Sequence, residues 1–389
     1  YSEDGRFFTL FQNFYDMNGN HLAHLDLAFG IIEFKIHSNS LSKIPIRIHV
    51  NGSRGKSSVV RLIASGLRSG GLKTLAKTTG TSPRIIDEYG NDKYIHRLRS
   101  ASIGEQIFFI RRFSKAKPDA LVIECMAVNP QYQWISEHKI VKSTIGVMTN
   151  VRPDHLDEMG ISIEQITKSM GNTIPFNGIM VTSEDKQIEL LKNISLKRNS
   201  DFHSCDTSDL DNKDISNFQY LEHKENISLA IKVCELCGVD KGVALEGMSK
   251  CNPDPGALTI WKIRYKNTGF EFINAFAAND PASTLKTWDM INERLKRDKF
   301  AIFLNTRLDR QYRTVQLINL IFDRLKPEVL VLRGENFPSE LKKMSDKNKN
   351  ITIYEFPYSI KQKDLIKFMD DTLSNFVILG IGNIVGWGE

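Results

Sequence analysis

Glycine, lysine and serine residues that could hold phosphate groups lie close together near position 50. The segment reads Ile48-His-Val-Asn-Gly-Ser-Arg-Gly-Lys-Ser-Ser58 and stands between a short apolar run and a helical pattern. Glycine lets backbone amides approach phosphate oxygens, and the helix start adds free N–H groups and a positive dipole end. The lysine of such a loop contacts the β- and γ-phosphates, and its serine hydroxyl ligates Mg²⁺. The sequence therefore predicts a nucleoside triphosphate site formed by Asn51, Gly52, Ser53, Arg54, Gly55, Lys56, Ser57 and Ser58.

This phosphate loop departs from the common pattern at one position. The pattern G-x-x-x-x-G-K-[S/T] places glycine where this chain has Val50. The alternative interpretation is a chance Gly-Lys-Ser sequence on a surface turn. The strand–turn–helix context favours the phosphate loop over that alternative.

Acidic and imidazole side chains follow two further predicted strands. Glu124 ends the apolar run Leu121–Cys125, and the segment Asn150–Asp157 follows the next strand. Ligands of parallel sheets bind at the carboxyl ends of the strands, so these side chains are expected beside the phosphate loop. Each of them could instead be a structural polar residue. Taken together they predict a cage for more than one Mg²⁺, formed by Ser57, Glu124, Asp154, His155 and Asp157.

The elements that must position these residues alternate between strand and helix. Apolar runs at 44–50, 120–125, 144–149 and 178–181 are separated by helical patterns such as 59–67, which is typical of a parallel sheet covered on both faces. The breaker cluster Cys251–Gly256 interrupts this order. Strand runs then resume at 270–275, 300–305, 329–333, 351–356 and 376–380, with a helix near 283–295. The sequence predicts an α/β protein: a helical preamble (1–43), a central parallel-sheet P-loop ATPase domain (44–257) and a smaller C-terminal α/β, Rossmann-like domain (258–389).

Composition excludes several classes of protein. With 389 residues, 41% hydrophobic and 25% charged, the chain is an ordinary globular protein rather than a disordered, collagen-like or coiled-coil one. No apolar stretch approaches the roughly 18 residues of a membrane span. The net charge of +6 is too small to indicate nucleic-acid binding. Five cysteines argue against a disulfide framework. The Cys234-x-x-Cys237 pair lies in a helical pattern, so a core role is favoured over a metal or redox role.

The motifs together resemble the Mur ligase superfamily of ATP-dependent amide-forming enzymes, which includes folylpolyglutamate synthetase. The resemblance covers about residues 44–389 and is carried by Asn51–Ser58, Thr79–Pro83, Glu124, Asn150–Asp157, His223–Asn226 and Pro255-Gly256. Within the superfamily, the ligase family of capsule and poly-γ-glutamate synthases (CapB/PgsB) is most similar. That narrower resemblance is carried by the strings Glu124–Pro130, Asn274–Asp280 and Gly380–Ile384.

The resemblance implies a reaction and a role for individual residues. ATP would phosphorylate a glutamate carboxylate, and the amine of an incoming glutamate would displace the phosphate to form an amide. Ser82, Glu124 and His155, with Ser57, would serve Mg²⁺. Asn226, beside Glu225, would contact the adenine. Arg310 and Arg313, in the segment Arg307–Arg313, would reach the phosphates unless that segment is a solvated loop. The implied catalytic residues are Lys56, Glu124, His155 and Arg310.

Three departures from the superfamily matter. The 43 residues before the predicted first strand cannot form a domain for a UDP-sugar, which argues against a peptidoglycan-precursor ligase. Many members carry a carbamylated lysine 15 residues after the metal histidine, a position that is Met170 here, with Lys168 two residues away. The Tyr-Ala-His segment of the family reads Phe276-Ala-Ala278. These departures leave ATP use intact and alter the expected metal and ribose contacts.

The resemblance also implies partners and a location. A glutamate-polymerising ligase would bind glutamate and the growing poly-γ-glutamate chain, and would work with small membrane subunits at the cytoplasmic face of the membrane. The link to the membrane would run through those subunits or through an anchor preceding Tyr1, and an oligomer is compatible with this arrangement. The alternatives are a folylpolyglutamate synthetase-like ligase and a non-ligase P-loop ATPase switch.

A basic segment is a candidate track for the acidic polymer. Between Lys93 and Lys117 the chain has seven basic residues and the single acidic residue Glu105, a net charge that equals that of the whole protein. Clustered cations raise the local concentration of a polyanion. A solvated basic helix face is the alternative interpretation. The seven are Lys93, Arg97, Arg99, Arg111, Arg112, Lys115 and Lys117.

Overall fold

The chain divides into two compact units, one formed by Tyr1–Gln219 with Lys224–Asp254 and the other by Tyr220–His223 with Pro255–Glu389. The structure, a computed structural model, describes residues 20–80, 82–97, 101–208, 210–211, 214–215, 218, 220, 222–253, 258–265, 268–276, 278, 280–295 and 299–383. Several predicted features therefore lie wholly or partly outside the described residues: residues 1–19 of the preamble, Thr81, Arg99, 254–256 of the breaker cluster, Ala277, Asn279 and Ile384.

The first unit contains an eight-stranded sheet with the order β4-β3-β2-β5-β1-β6-β7-β8. The six strands from β2 to β8 in this order are parallel, whereas β3 and β4 form an antiparallel extension at one edge. The predicted parallel sheet is therefore present with an additional hairpin. The strands are β1 (Ile46–Asn51), β2 (Thr74–Lys77), β3 (Arg84–Ile86), β4 (Asp92–Tyr94), β5 (Ala120–Glu124), β6 (Ile145–Met148), β7 (Ile179–Thr182) and β8 (Asp201–Ser204).

Strand β1 lies between β5 and β6, and this register positions the site. Val50 pairs with Glu124, and Asn51 pairs with Met148. The carboxyl ends of the three strands therefore meet at one edge of the sheet. The described helices of this unit are α1 (Asn20–Leu41), α2 (Lys56–Ser69), α3 (Gly104–Ser114), α4 (Pro130–Ile135), α5 (Leu156–Met159), α6 (Ile163–Met170), α7 (Ile188–Lys197), α8 (Lys224–Leu236) and α9 (Lys241–Ser249), with a π-helical turn at Ser136–Val141.

Apolar periodicity explains how these helices cover the sheet. Helix α2 begins directly after the phosphate loop and buries Val59, Ile63 and Leu67 along one face. On α3, Ile107, Ile110 and Phe113 pack with the strand residues Leu121 and Ile123 in one apolar cluster. Truncating such a side chain to alanine typically costs about 2–5 kcal/mol of folding free energy. These contacts fix both helices relative to the strand ends.

Helix α1 belongs to the first unit. Leu41 and Ile44 are buried in the same cluster as α3. The imidazole of His37 lies 2.7 Å from the carbonyl oxygen of Ile140, and Arg111 forms an ion pair of 3.5 Å with Glu33. The described part of the preamble is therefore helical and is attached to the ATPase-like sheet by polar as well as apolar contacts.

The second unit contains a six-stranded sheet with the order β13-β12-β11-β14-β10-β9. All its pairs are parallel except β9–β10. The strands are β9 (Thr259–Tyr265), β10 (Thr268–Asn274), β11 (Phe300–Asn305), β12 (Val329–Arg333), β13 (Thr352–Phe356) and β14 (Val377–Gly382). The described helices are α10 (Pro281–Leu295), α11 (Gln311–Leu320), α12 (Ser339–Lys347) and α13 (Gln362–Leu373). The predicted α/β fold class is confirmed for both units.

Candidate functional site

The phosphate loop connects β1 to α2 and requires glycine at two positions. Gly52 has φ +137°, and a Cβ atom there would lie 2.0 Å from the hydroxyl oxygen of Thr149. Gly55 has φ +82°, and its Cβ would lie 2.8 Å from the amide oxygen of Asn226. Both backbone conformations are rare for residues with a side chain, and neither position has room for one. Glycine therefore lets the loop turn sharply while neighbouring side chains pack directly against it.

Hydrogen bonds hold this loop to the segment after β6 and, through Asn51, to α4 and the turn after α6. The side-chain amide nitrogen of Asn51 donates to the side-chain oxygens of Gln133 and Thr173, both at 3.1 Å. The backbone N–H of Arg54 donates to the side chain of Asn150 at 3.1 Å. The hydroxyl of Ser53 donates to the carbonyl of Arg152 at 3.0 Å. The loop is thus fixed by side chains on both of its flanks.

Lys56 lies across the phosphate loop. Its ammonium group donates to the carbonyl oxygen of Gly52 at 2.6 Å and lies 3.5 Å from that of Ser53. The side chain of Ser58 is half-buried in the same helical turn. Arg54 places its guanidinium 3.8 Å from the carboxylate of Asp154. The Lys56 ammonium therefore lies against the loop backbone, and its charge would neutralise a phosphate bound there.

Ser57 and Glu124 form the central polar contact of the site. The Ser57 hydroxyl donates to the Glu124 carboxylate at 2.9 Å, and the backbone N–H of Thr79 donates to the same oxygen at 2.8 Å. Glu124 is only 3% exposed, and Gln106 donates to its backbone carbonyl at 3.0 Å. Hydroxyl and carboxylate oxygens are the ligands that Mg²⁺ prefers. This pair therefore fits a divalent cation bound beside the phosphate loop.

His155 is placed differently from Glu124. It adopts a left-handed backbone conformation with φ +46°, its side chain is 55% exposed, and its closest carboxylate is Asp154 at 4.0 Å. Asp157 is exposed. Among the described residues, no three His, Cys, Asp or Glu side chains form a group that could hold a metal ion. The predicted carboxylate–imidazole cage and the individual metal roles of Glu124 and His155 stay predictions.

Comparison with known proteins places these features in a family. Residues 50–243 match the Mur ligase middle domain, and residues 260–389 match the poly-gamma-glutamate synthase CapB C-terminal domain. The chain is 33% identical over 367 residues to the capsule biosynthesis protein CapB of Bacillus anthracis, covering 93% of this chain and 79% of that protein. It is 34% identical to the PGA synthase CapB of Bacillus subtilis strain 168, covering 93% of each chain. The chain belongs to the CapB family of Mur-type ligases.

Solved structures support the fold. The FolC protein of E. coli in complex with ADP superposes with a TM-score of 0.62 at 13% identity, covering 91% of this chain and 90% of that one. Folylpolyglutamate synthase of Thermotoga maritima gives 0.59 at 16% identity, covering 95% and 98%. A Yersinia pestis folylpolyglutamate/dihydrofolate synthase bound to AMPPNP and manganese gives 0.62 at 12% identity, covering 90% of each. Their identity is low, so these structures establish the fold alone.

Asn226 and Glu225 lie in the first turn of α8. Asn226 is buried, and its side-chain amide packs against Gly55 of the phosphate loop. Glu225 is half-buried beside it. The structure therefore brings Asn226 to the phosphate loop. Its contact with adenine remains a prediction.

The metal-lysine position of the Mur ligases is apolar in this CapB-family chain. Met170 is 2% exposed and packs in a cluster with Met148, Ile166 and Met180. Lys168 points to the surface and pairs with Glu164 at 2.6 Å. Met170 offers no oxygen ligand, so a carbamylated lysine is absent from this position. Ser82, the other expected metal residue, is half-buried in the turn between β2 and β3.

Arg310 and Arg313 lie in the second unit beyond the carboxyl end of β11. Arg310 ends a 3₁₀ turn, Leu308–Arg310, and is exposed, while Arg313 is half-buried in the first turn of α11. In the segment that corresponds to Tyr-Ala-His, Phe276 is buried at 3% exposure. A phosphate contact by either arginine remains a prediction.

The basic residues of this segment lie at different places in the first unit. Arg97 forms two hydrogen bonds to Glu105, and Arg111 pairs with Glu33. Arg112, Lys115 and Lys117 are exposed but lie at the end of α3 and in its connection to the start of β5. The five residues of β5 span about 13 Å, and Glu124 is at the far end. The exposed basic residues at the end of α3 are therefore about one strand length from Glu124, and the role of the segment as a polymer track stays a prediction.

The cysteines support a structural interpretation. Cys234 is fully buried in α8, and its thiol lies 3.8 Å from the carbonyl oxygen of Ile63. Burial raises the pKa of the Cys234 thiol, and it raises the pKa of Cys237 to about 11. Neither thiol is therefore ionised at neutral pH, as a metal ligand or redox nucleophile would require. The core interpretation of the Cys-x-x-Cys pair is confirmed for Cys234.

Lys77 is a residue near the site that sequence reasoning missed. It ends β2, is fully buried, and forms an ion pair of 2.8 Å with Glu105. A lysine directly after the apolar residues Leu75 and Ala76, and directly before Thr-Thr-Gly-Thr, was the available signal.

Among the described helices of the whole chain, none combines the length and apolar character of a membrane span.

Proposed function

We propose that this chain is an ATP-dependent amide ligase that joins glutamate units into poly-γ-glutamate. This proposal rests mainly on the 34% sequence identity of the chain to a PGA synthase, which extends over 93% of both chains. The Ser57–Glu124 pair supports the ATP-dependent half of this assignment, because a hydroxyl oxygen and a carboxylate oxygen next to a phosphate loop suit a divalent cation.

The proposed reaction has two steps. An oxygen of a glutamate side-chain carboxylate attacks the γ-phosphorus of ATP, the bond to the β–γ bridging oxygen breaks, and ADP leaves. The amine of the second glutamate then attacks the acyl carbon, the carbon–oxygen bond to phosphate breaks, and the nitrogen loses a proton. The products are an amide, ADP and inorganic phosphate. Positioning and charge neutralisation supply most of the rate enhancement in such transfers.

The chain's own residues would divide this work. The loop amides and Lys56 are proposed to hold the phosphates, and Asn226, which packs against Gly55, and Glu225 are proposed to contact the adenine. Ser57 and Glu124 hold the divalent cation, which we propose is Mg²⁺, with His155 and Ser82 as additional metal residues. When bound, the cation neutralises negative charge on the phosphoryl group. Arg310 and Arg313 are proposed to contact the phosphates.

A folylpolyglutamate synthase activity is the second candidate, favoured by the fold shared with the E. coli and T. maritima proteins. The test is ADP release by the purified chain with ATP and Mg²⁺, supplied with free glutamate, with poly-γ-glutamate oligomers, or with a folate plus glutamate. We expect glutamate or its oligomers to stimulate ADP release and to form a longer chain. If ADP release were stimulated only in the reaction that contains a folate plus glutamate, the second candidate would replace this proposal.

We also propose that the ligase works at the cytoplasmic face of the membrane with small membrane subunits. The support is chemical: a capsule polymer is a large polyanion that must be exported, so synthesis beside an export channel avoids its release into the cytoplasm. Fractionation of cells that express the tagged protein tests this. We expect the ligase in the membrane fraction together with small partner proteins. A protein that elongates poly-γ-glutamate unaided in the soluble fraction would contradict it.

A further inference from the structure

Lys77 carries a charge in the interior of the first unit. Its side chain is wholly buried at the carboxyl end of β2, next to Ile123 of β5. Its ammonium group lies 5.4 Å from the ring centre of Phe109 on α3. Burying an unpaired charge costs folding free energy, and lysine is rarely found buried unless it is paired with an opposite charge. The position of Lys77 therefore calls for a reason beyond packing.

A network of three ionic groups holds this lysine. The ammonium of Lys77 is 2.8 Å from Oε1 of Glu105, and Arg97 donates to both oxygens of Glu105 at 2.7 and 3.1 Å. Burial lowers the pKa of Lys77, and attraction to Glu105 opposes that shift. Burial raises the pKa of Glu105, but its two cationic partners outweigh this and hold it below its usual value. The three groups carry a net charge of one positive unit.

The network lies next to the cation site. Lys77 is also attracted electrostatically to Glu124. Gln106, the residue after Glu105, donates to the backbone carbonyl of Glu124. Glu124 and the charged network are therefore connected through space and through α3.

Lys77 also begins the segment that covers Ser57. Thr78 and Arg84 exchange two hydrogen bonds, of 2.9 and 3.2 Å, which close the turn between β2 and β3. Within that turn, the N–H of Thr79 donates to Glu124, and a Cβ on Gly80 would lie 3.6 Å from the Ser57 hydroxyl. A shift at Lys77 would therefore be transmitted to Thr79 two residues later.

We propose that Lys77 is a positioning residue: its buried charge, held by Glu105 and Arg97, keeps the segment Thr78–Gly80 and the Glu124 carboxylate in the arrangement that binds the divalent cation. The proposal rests on the proposed ATP-dependent function. It predicts that Lys77 affects metal binding without touching the metal or the nucleotide. Residues that orient a metal ligand typically change metal affinity by about 10- to 100-fold.

The test measures ADP binding by calorimetry as a function of Mg²⁺ concentration, with thermal unfolding measured in parallel. Lys77→Met keeps a long unbranched side chain, one heavy atom shorter, and removes its charge. The double variant Lys77→Met/Glu105→Gln also removes the carboxylate that the first change leaves unpaired. Lys73→Met is the matched control, because it makes the same substitution just before the opposite end of β2, where Lys73 is exposed and donates to the carbonyl of Ala116.

We expect Lys77→Met and the double variant to require at least about 10-fold more Mg²⁺ for half-maximal ADP binding, while Lys73→Met matches the wild type. A double variant with the wild-type Mg²⁺ requirement would overturn the proposal, because Lys77 would then only neutralise Glu105. If Lys77→Met alone fails to fold, the double variant decides between these outcomes. Because this readout needs no glutamate, a chain that binds Mg²⁺ and ADP normally but does not ligate glutamate contradicts only the proposed function.

Discussion

Ser57 and Glu124 are joined by a hydrogen bond of 2.9 Å although 67 residues separate them in the chain. The contact connects the first turn of α2 to the end of β5. A serine hydroxyl that donates its proton to a carboxylate keeps its oxygen lone pairs available to a cation. The pair therefore offers two oxygen ligands whose positions are set by the fold rather than by the nucleotide.

Replacing Glu124 with glutamine should weaken cation binding, because the amide keeps the shape of the side chain and removes its charge. We expect the Mg²⁺ concentration for half-maximal ATP turnover to rise at least about 10-fold. Titration of activity with Mg²⁺ measures this, and Glu189→Gln, an exposed change on α7, is the control. An unchanged Mg²⁺ requirement in Glu124→Gln would reduce Glu124 to a structural residue.

Replacing His155 with alanine should remove ligation without loss of stability. Its side chain is 55% exposed, and substitutions at such positions usually change the free energy of unfolding by no more than about 0.5 kcal/mol. Urea unfolding and ADP release, measured on the same preparation, separate the two effects. Full ligase activity in His155→Ala at ordinary Mg²⁺ would exclude a metal role, and His203→Ala on β8 serves as the control.

Lys56→Ala should abolish ATP turnover because the side chain provides the positive charge inside the phosphate loop. Loss of one preorganised charge-stabilising group typically lowers the turnover number by about 10²–10³-fold. Its partners in the structure are loop carbonyls and not core groups, so the unfolding midpoint should stay near that of wild type. Lys192→Ala, an exposed lysine on α7, is the matched control. Retained turnover would contradict the phosphate-loop assignment.

The sequence was sufficient to predict those strands whose apolar runs are long or end at clear strand-breaking residues. The run 300–305 coincides with β11, and the predicted strand at 120–125 differs from β5 by one residue. β2 was not predicted because it has four residues and ends in Lys77, which propensity places in a loop. β9 was also missed, although Thr259–Tyr265 is rich in β-branched and aromatic residues.

For a similar reason, the sequence predicted only part of the site. Spacing was enough to predict the phosphate loop and to place Glu124 at a strand end. It could not give the strand order, in which β2 lies beside β5. Without that order, the contact of Thr79 with Glu124 has no local signal, and a lysine that follows two apolar residues does not by itself show that Lys77 is buried beside Glu124. Long-range strand pairing, and not residue type, decides which side chains meet.

His49 and Glu137 form a buried pair that should make stability depend on pH. The imidazole Nδ1 lies 2.7 Å from Glu137, whose other oxygen accepts from the backbone and hydroxyl of Ser143 at 2.8 Å. Burial opposes protonation of His49, but Cys125 and Glu137 outweigh it and raise the pKa to about 10 from 6.5. A pKa raised by folding stabilises the protein fully below the unfolded value and loses that contribution as pH rises through the folded value.

We therefore expect the free energy of unfolding to fall as pH rises from 6.5 towards 10. Urea denaturation at pH 6, 8 and 10 measures this change. In Glu137→Gln the buried imidazolium loses its partner, which should cost about 3–5 kcal/mol near neutral pH and flatten the pH dependence. A wild-type protein as stable at pH 10 as at pH 6 would show that His49 is neutral when folded.

Charge reversal at Arg112 and Lys115 should leave the recognition of long acceptors unchanged. Both side chains are exposed near the end of α3, and the strand between them and Glu124 spans about 13 Å. Exposed charges are screened over about 8 Å at physiological ionic strength, so little of their field reaches the site. Arg111 is left intact, because its pair with Glu33 holds α1 to α3.

The measurement compares KM for free glutamate with KM for poly-γ-glutamate oligomers in the double variant Arg112→Glu/Lys115→Glu. We expect both values to stay within about 2-fold of wild type at physiological salt, since exposed charges this far from a site contribute little. A rise in KM confined to long oligomers, and stronger at low salt, would show that the polymer passes over the end of α3 after all. In that case the acceptor chain would have to extend across the sheet to the edge opposite Glu124, and the prediction of a basic track would be supported.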